Sequence, residues 1–297
     1  MTTSEKKLAY IAWVAICLIW GTTYLAIKIC LETIPPALMG GIRFVCAAAL
    51  LGGGLVAMGK RLPERRTWPA MALIGVLLLG FGNGGVIVAE QWVPSGIAAV
   101  LIGTLPFWMV GIQALWFKGE PLTWRHVAGL LVGFAGIVLL VWSDIRVSDS
   151  SGRQFLLGVG ALQAACCGWA FGSVYSKRNA SEGDPLGAAA LQMFFGGAFM
   201  LVVGTIHGEW AELRFSTRTL AAFGYLVLAG SVVAFAAYNY ALKHLPVSFV
   251  SLYAYVNPVV AVALGTVLLA EPFTLRTAIA VVVILAGVAL VKTGGHT

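Results

Sequence analysis

Prolines placed in the middle of long apolar runs constrain this chain more than any other feature. The stretch from Leu245 to Arg276 reads LPVSFVSLYAYVNPVVAVALGTVLLAEPFTLR, and that from Val93 to Arg125 reads VPSGIAAVLIGTLPFWMVGIQALWFKGEPLTWR. They share a skeleton. Pro94 to Pro106 is twelve residues, as is Pro246 to Pro258, and Glu120-Pro121 precedes Arg125 just as Glu271-Pro272 precedes Arg276. Each run is long enough to cross a hydrocarbon core of ~30 Å as a helix rising ~1.5 Å per residue. A proline inside such a helix has no N–H for the carbonyl four residues back, which releases the carbonyls of Ile102 and Ala254. In hydrocarbon a released carbonyl must be paired or must face a protein-lined cavity. Two interrupted helices in matching places therefore point to a central binding site, with Pro106 and Pro258 as candidate hinges.

Composition agrees with a membrane solvent. The 297 residues are 60% hydrophobic and only 10% charged, with a mean hydropathy of +0.91; a soluble domain carries about a quarter charged residues. The net charge of +7 does not argue for nucleic acid, because the basic residues sit in short loops between apolar runs, where they report topology. Cys17, Cys30, Cys46, Cys166 and Cys167 lie in or beside apolar segments without disulfide or metal spacing, and are read as small core residues. No metal and no cofactor is expected. Glu5-Lys6-Lys7 followed by an apolar run imitates a signal peptide. The run nevertheless continues through Trp20, Tyr24 and Lys28 with no small-residue cleavage site, which reads as a retained first helix.

Ten spans are predicted, at about 8–28, 37–58, 68–89, 95–117, 124–142, 155–177, 186–206, 218–241, 247–269 and 275–292. The second five repeat the first. WGTTYLAIK (20–28) matches WAFGSVYSK (169–177); Pro36 and Arg43 map onto Pro185 and Gln192 at the same offset of 149. Arg66-Thr67 maps onto Arg218-Thr219 at 152, and Gly136 onto Gly287 at 151. So few register changes over this length mark a duplication, residues 1–148 and 149–297.

Five spans per repeat is odd, so the second half enters the membrane from the opposite side and the repeats are inverted. With a cytoplasmic N-terminus the inner segments carry twelve Lys and Arg residues and the outer segments six. That excess places both termini in the cytoplasm, with the bias strong in the first half and thin in the second.

The motif set resembles the EamA family of the drug/metabolite transporter superfamily. IWGTTYLAIK in the first span, PPALMGGIRF opening the second, and the duplicated twelve-residue step from proline to proline closed by Glu-Pro carry the likeness, which runs from about Ala9 to Val291. VAEQWVPSGIAAVL (88–101) and YAYVNPVVAVALGT (253–266) are further similar to a branch of bacterial inner-membrane exporters. The resemblance implies an all-α integral membrane protein of ten transmembrane helices in two inverted five-helix repeats. It also implies a central cavity lined by the first, third, fourth, sixth, eighth and ninth helices. It names no substrate, since the family spans amino acids, nucleosides, drugs and other metabolites. The basic cluster that phosphate-binding carriers of the superfamily use is missing.

Trp20, Tyr24 and Lys28 share one helical face at i, i+4, i+8, and Trp169, Ser173 and Lys177 repeat the spacing. Ordinary packing of the tryptophans and snorkelling of the lysines compete with a cavity role. Asn83 and Glu90 lie two turns apart on the third span; Glu90 is either a solvated carboxylate or a coupling candidate for a proton. Arg43 is the one basic residue well inside a span. Such a charge is a functional candidate, but an arginine there is widespread in the resembled family, which favours a packing role. Tyr238, Asn239, Ser251, Tyr253, Tyr255 and Asn257 give the eighth and ninth spans polarity, with Tyr253 and Asn257 the stronger pocket candidates, and Thr104 and Trp108 flank Pro106 in the twin location. The small-residue face of Gly129, Gly133 and Gly136 serves close helix packing, either internal or between protomers.

The sequence thus reads as a secondary transporter of the bacterial inner membrane, exporting a small metabolite, amino acid or drug by alternating access. The expected partners are a small-molecule substrate, the lipid bilayer and a proton as candidate coupling ion, with no nucleic acid, in a monomer or weak homodimer. A channel or non-transporting receptor is the alternative. An intramembrane enzyme is disfavoured: Asp144, Asp149 and Asp184 fall in loops, and His126, His207, His244 and His296 at helix ends or the tail.

Overall fold

The computed structural model describes residues 3–93, 98, 101–116, 123–140, 153–179, 184–260 and 274–294. Among the described residues, six helices are long and apolar enough to cross a membrane: α1 (Thr3–Cys30), α2 (Pro36–Ala57), α3 (Arg65–Ala89), α6 (Arg153–Arg178), α7 (Pro185–Ile206) and α8 (Thr217–His244). Four shorter apolar helices complete the described bundle: α4 (Leu105–Trp116), α5 (Trp124–Leu140), α9 (Val247–Val260) and α10 (Leu275–Gly294). Pro94, Glu120-Pro121 and Glu271-Pro272, which frame the proline skeleton, lie outside the described residues, as do Asp144, Asp149 and His296.

Helix α1 shows how the bundle separates its two solvents. Ala12, Ile16, Trp20, Thr23 and Ile27 face inward, whereas Ile11, Val14, Leu18 and Leu25 are each about half exposed or more. Both faces are apolar. An apolar outer face is what a lipid-facing helix requires and what a soluble helix avoids.

The helix starts follow local chemistry. Pro36 and Pro185 stand in the first turns of α2 and α7, where a missing N–H costs nothing. Asp184 caps α7 by accepting from Leu186 N at 3.0 Å, and Ser216 with Thr219 forms a capping box on α8. The α2 start lacks a cap of its own. Glu209, from the other half of the chain, accepts there from Leu38 N at 2.8 Å and from Ala37 N at 3.3 Å.

The contact pattern maps onto itself when the halves exchange. Helix α1 packs on α8 and α6 on α3, while α2 lies along α7 and α5 along α10. The last pair depends on glycine: a Cβ on Gly287 would lie 2.5 Å from Gly133 N. The Gly129, Gly133 and Gly136 face is therefore spent inside the protomer. At one end of the bundle Arg214 N donates to Thr33 O (3.0 Å) and Arg218 pairs with Glu32 (3.3 Å). At the other end Lys60 pairs with Asp184 at 3.5 Å.

Helices α3 and α8 each carry a π-helical segment, Val76–Asn83 and Leu226–Val233, at the same place in their halves. A π turn bonds i to i+5 and often accompanies function. Here it widens both helices beside the cavity.

The proline-bearing helices are not equivalent. α4 begins after a turn at Gly103–Thr104, so Pro106 stands in its first turn. α9 breaks earlier, at Ser251–Leu252, and Pro258 sits inside the helical run that restarts at Tyr253. The interruption near Pro258 is thus displaced from the proline itself. Ser251 Oγ, donating to Ser248 O at 2.8 Å, supports the turn.

Candidate functional site

A cavity with about 590 Å³ of empty space lies at the junction of the two halves. α1 contributes Trp20, Thr23, Tyr24 and Ile27, one face of the helix at i, i+3, i+4, i+7. α2 adds Arg43, α3 adds Asn83, α6 adds Cys166 and Trp169, and α9 adds Tyr253 and Asn257. Six of the sequence candidates (Trp20, Tyr24, Asn83, Trp169, Tyr253 and Asn257) share this wall.

The remaining candidates lie elsewhere. Thr104 and Trp108 are not on the wall: Trp108 Nε1 donates to Gln163 Oε1 at 3.1 Å and Thr104 Oγ1 to the same atom at 3.2 Å. Gln163 Nε2 and Thr104 Oγ1 both reach Leu101 O, so this trio satisfies the backbone at the α4 interruption. Ser173 is fully buried behind the wall and Asn239 opens onto a second cavity.

Four aromatic rings form the floor. Trp20 meets Trp169, Tyr238 and Tyr253 at centroid distances of 5.5, 5.3 and 4.9 Å. Tyr238, on α8, is the hub, a residue that the sequence marked only as one of several polar groups in the eighth and ninth spans. It accepts from Trp169 Nε1 at 3.1 Å and shares a hydrogen bond with Ser173 Oγ at 2.6 Å. Tilted and edge-to-face rings, with Trp20 Nε1, Trp169 Nε1 and the Tyr238 hydroxyl hydrogen-bonded, make a stiff floor.

Polar groups in the walls are only partly spent. Trp20 Nε1 donates to Gly230 O in the α8 π-segment at 3.0 Å. Arg43, 2% exposed, donates from Nε to Ser231 Oγ at 2.8 Å and stacks on Phe44 at 4.8 Å, yet its Nη1 has no partner. Arg43 is thus a packing residue and a cavity residue together. Asn83 Oδ1 is likewise buried without a partner. In the orientation that satisfies both its amide atoms, Asn257 donates to Cys17 O and Tyr253 O, each at 3.0 Å. A buried N–H and a buried C=O left open in one cavity are groups that a bound molecule can pair.

Glu90 follows the last residue of the α3 span, half-buried, with Oε1 enclosed and unpartnered. Burial pushes its carboxyl above the ordinary carboxylate range, opposed by the charge of Lys28. One carboxylate oxygen is thus enclosed while the side chain as a whole stays partly open. Lys28 itself is exposed, whereas Lys177 turns inward and donates to Lys243 O and Leu245 O, 2.9 Å each. Tyr255 ties α9 to α5 through Leu130 O at 2.9 Å.

The EamA-like transporter family model matches residues 7–142 and again 156–293. The chain belongs to that family. Among its relatives, the uncharacterized inner membrane transporter YedA of Escherichia coli K12 is 40% identical over 95% of this chain and 90% of its own. The uncharacterized transporter YvbV of Bacillus subtilis 168 is 26% identical over 93% and 88%. A solved crystal structure at 23% identity superposes over 97% of both chains with a TM-score of 0.79, a likeness of fold. The EamA-like cavity of this chain is therefore built where the two matched segments meet.

Proposed function

We propose that this protein carries a small molecule across a bacterial inner membrane by alternating access, through the cavity between its halves. Family membership and relatives named as transporters support a membrane transporter over an enzyme. The observation that carries the mechanism is the cavity's form: open polar groups above a floor that Trp20, Trp169, Tyr238 and Ser173 close with rings and hydrogen bonds. A closed floor suits a carrier that exposes one side at a time, and disfavours a continuous channel.

In this reading the ten helices are two inverted five-helix repeats, residues 1–148 and 149–297, with both termini cytoplasmic. The end-to-end contacts support it: the loop after α1 meets the loop before α8, and the loop after α2 meets the start of α7. Parallel repeats would put each of those pairs on opposite faces of the membrane. Glu90, at the mouth, is the coupling candidate for a proton, and Pro106 and Pro258 are the hinges. The protein works as a monomer or weak homodimer without nucleic acid or cofactor.

The test is an export screen followed by reconstitution. Cells with and without the protein are challenged with amino acids, nucleosides and toxic analogues, and the molecule that leaves is then assayed in proteoliposomes. Saturable counterflow is expected; graded, voltage-dependent conductance without counterflow sinks the carrier in favour of a channel.

A further inference from the structure

Arg43 is a cation that the repeat itself does not require. Its twin at an offset of 149, Gln192, is uncharged and equally buried, so packing at this helix position is met without a charge. A buried cation is costly unless an opposite charge or a full set of hydrogen bonds offsets it. Arg43 has neither. Its Nε reaches only the neutral Ser231 Oγ at 2.8 Å, and its Nη1 is buried without a partner. The group is also held in place. Phe44 lies under the guanidinium at 4.8 Å, and Gly230 stands so close that a Cβ there would be 3.1 Å from Nη2.

The rest of the central cavity defines what would complete this site. Among the described residues its wall holds no carboxylate. Glu90, two turns along α3 from Asn83, is not on the wall and has the charge of Lys28 opposing its own. Thr23 is spent on Trp20 O at 2.8 Å, and Asn257 on Cys17 O and Tyr253 O. Asn83 enters the same cavity from the end of the α3 π-segment and keeps Oδ1 enclosed and unpartnered. Trp20, Trp169 and Tyr253 supply ring surface to the same space. With about 590 Å³ of empty space, the cavity falls in the range of small-molecule sites.

We infer that the central cavity takes an aromatic monocarboxylate that also carries a neutral N–H or O–H. The carboxylate accepts from Arg43 Nη1, the neutral donor pairs with Asn83 Oδ1, and the ring rests on the aromatic floor. One cation and no carboxylate in the wall match a single negative charge. A zwitterion would bring an ammonium group with no counter-charge, and a neutral molecule would leave the guanidinium uncompensated. A phosphate dianion would bring a second charge that the wall does not meet. A fixed guanidinium is well suited to a carboxylate, because its donors are already aimed when the anion arrives. This substrate class rests on the transporter reading above.

The test measures binding to the full chain in phosphatidylcholine nanodiscs, with four probes that share a ring. They are N-acetylphenylalanine, its neutral primary amide, zwitterionic phenylalanine, and 3-phenylpropionate, which has the carboxylate without the N–H. N-acetylphenylalanine is expected to bind about tenfold more tightly than the amide or phenylalanine, the usual worth of a charge-assisted hydrogen bond. 3-Phenylpropionate should fall between. Arg43→Gln, which installs the side chain of the twin position, should cut the preference for N-acetylphenylalanine over its amide about tenfold. Should that variant fail to fold, Asn83→Asp replaces it. It adds a negative charge to the wall and should move the preference from N-acetylphenylalanine to phenylalanine. Equal binding of the four probes, binding of none, a preference of the parent for phenylalanine, or an unaltered order in both variants overturns the inference. Counterflow of N-acetylphenylalanine in proteoliposomes separates the two readings. Counterflow indifferent to Arg43→Gln overturns the anion site and leaves a transporter. Arg43-dependent binding without counterflow upholds the anion site and removes transport.

Discussion

Trp20 and Trp169 meet edge to face, 5.5 Å between ring centroids and 84° between ring planes, each from the same position of its own half. The twins nevertheless bond differently: Trp20 to Gly230 O, Trp169 to the Tyr238 hydroxyl. Equivalent residues in unequal surroundings are what one state of a two-state carrier should show.

Trp20→Ala, Trp169→Ala and Tyr253→Ala should lower transport with membrane levels near those of the parent. A lost aromatic contact forfeits about 0.5–1.5 kcal/mol beyond burial, or a two- to tenfold rise in half-saturating concentration. Trp108→Ala, which removes the Gln163 contact away from the wall, is expected to have the smaller effect on affinity. Concentration-dependent uptake of the identified substrate measures the four. Unchanged affinity in the first three removes the proposed lining.

Reporters fused after Arg66 and after Lys243 should read cytoplasm, and reporters after Ser148 and Glu212 periplasm. A periplasmic signal after Lys243 would remove the inverted arrangement, because the second half would then run parallel to the first.

Glu209→Ala should destabilise the protein by about 1 kcal/mol, the usual worth of a helix cap, because it strips both N–H partners from the α2 start. Glu209→Gln should recover part of the loss by keeping one acceptor. Thermal unfolding in detergent reads both, and equal melting temperatures for parent and Glu209→Ala refute the cap.

Burial holds the proton on Glu90 to a higher pH than an ordinary carboxylate, so its charge changes nearer neutrality. Transport should therefore vary with pH above the ordinary carboxylate range, and Glu90→Gln, fixed in the neutral form, should flatten the profile. Flux in proteoliposomes from pH 5 to 9 makes the comparison. A profile unchanged in Glu90→Gln takes the coupling role away from this residue.

Much of the architecture was legible because it is periodic. Apolar runs gave the spans, and the duplicated Trp-to-Lys spacing placed Trp20 and Trp169 on helices that do converge. Arg43 was legible as an anomaly, a charge in an apolar run. Contacts that depend on backbone made distant in sequence were not. Nothing in LVLAGSVV announces a π-helix or offers Gly230 O to an indole 210 residues away. Gln163 and Glu209 look like ordinary polar residues until α4 and α2 bring them open backbone groups. Thr104 and Trp108 were placed by symmetry with α9, and the symmetry is broken there, since α9 interrupts at Ser251–Leu252 and α4 beside its proline.

That broken symmetry gives the sharpest test of the mechanism. Pro106 now stands in the first turn of α4, where its missing N–H costs nothing. Pro258 stands six residues into a helical run and withholds a bond from Ala254 O. Exchanging the halves exchanges these surroundings, so each proline penalises a different facing. Pro258→Ala should therefore favour the facing described here and Pro106→Ala the opposite one. A helix-interior proline costs about 3 kcal/mol, and as little as about 1 kcal/mol shifts a population ratio roughly fivefold. Single cysteines at Asn83 and Asn239, in a background without the native five, report the central and the second cavity through labelling by an impermeant thiol reagent. Labelling at Asn83 should rise with Pro258→Ala and fall with Pro106→Ala, with Asn239 moving the other way. If both substitutions move the same site in the same direction, the prolines are packing features and the hinges lie elsewhere.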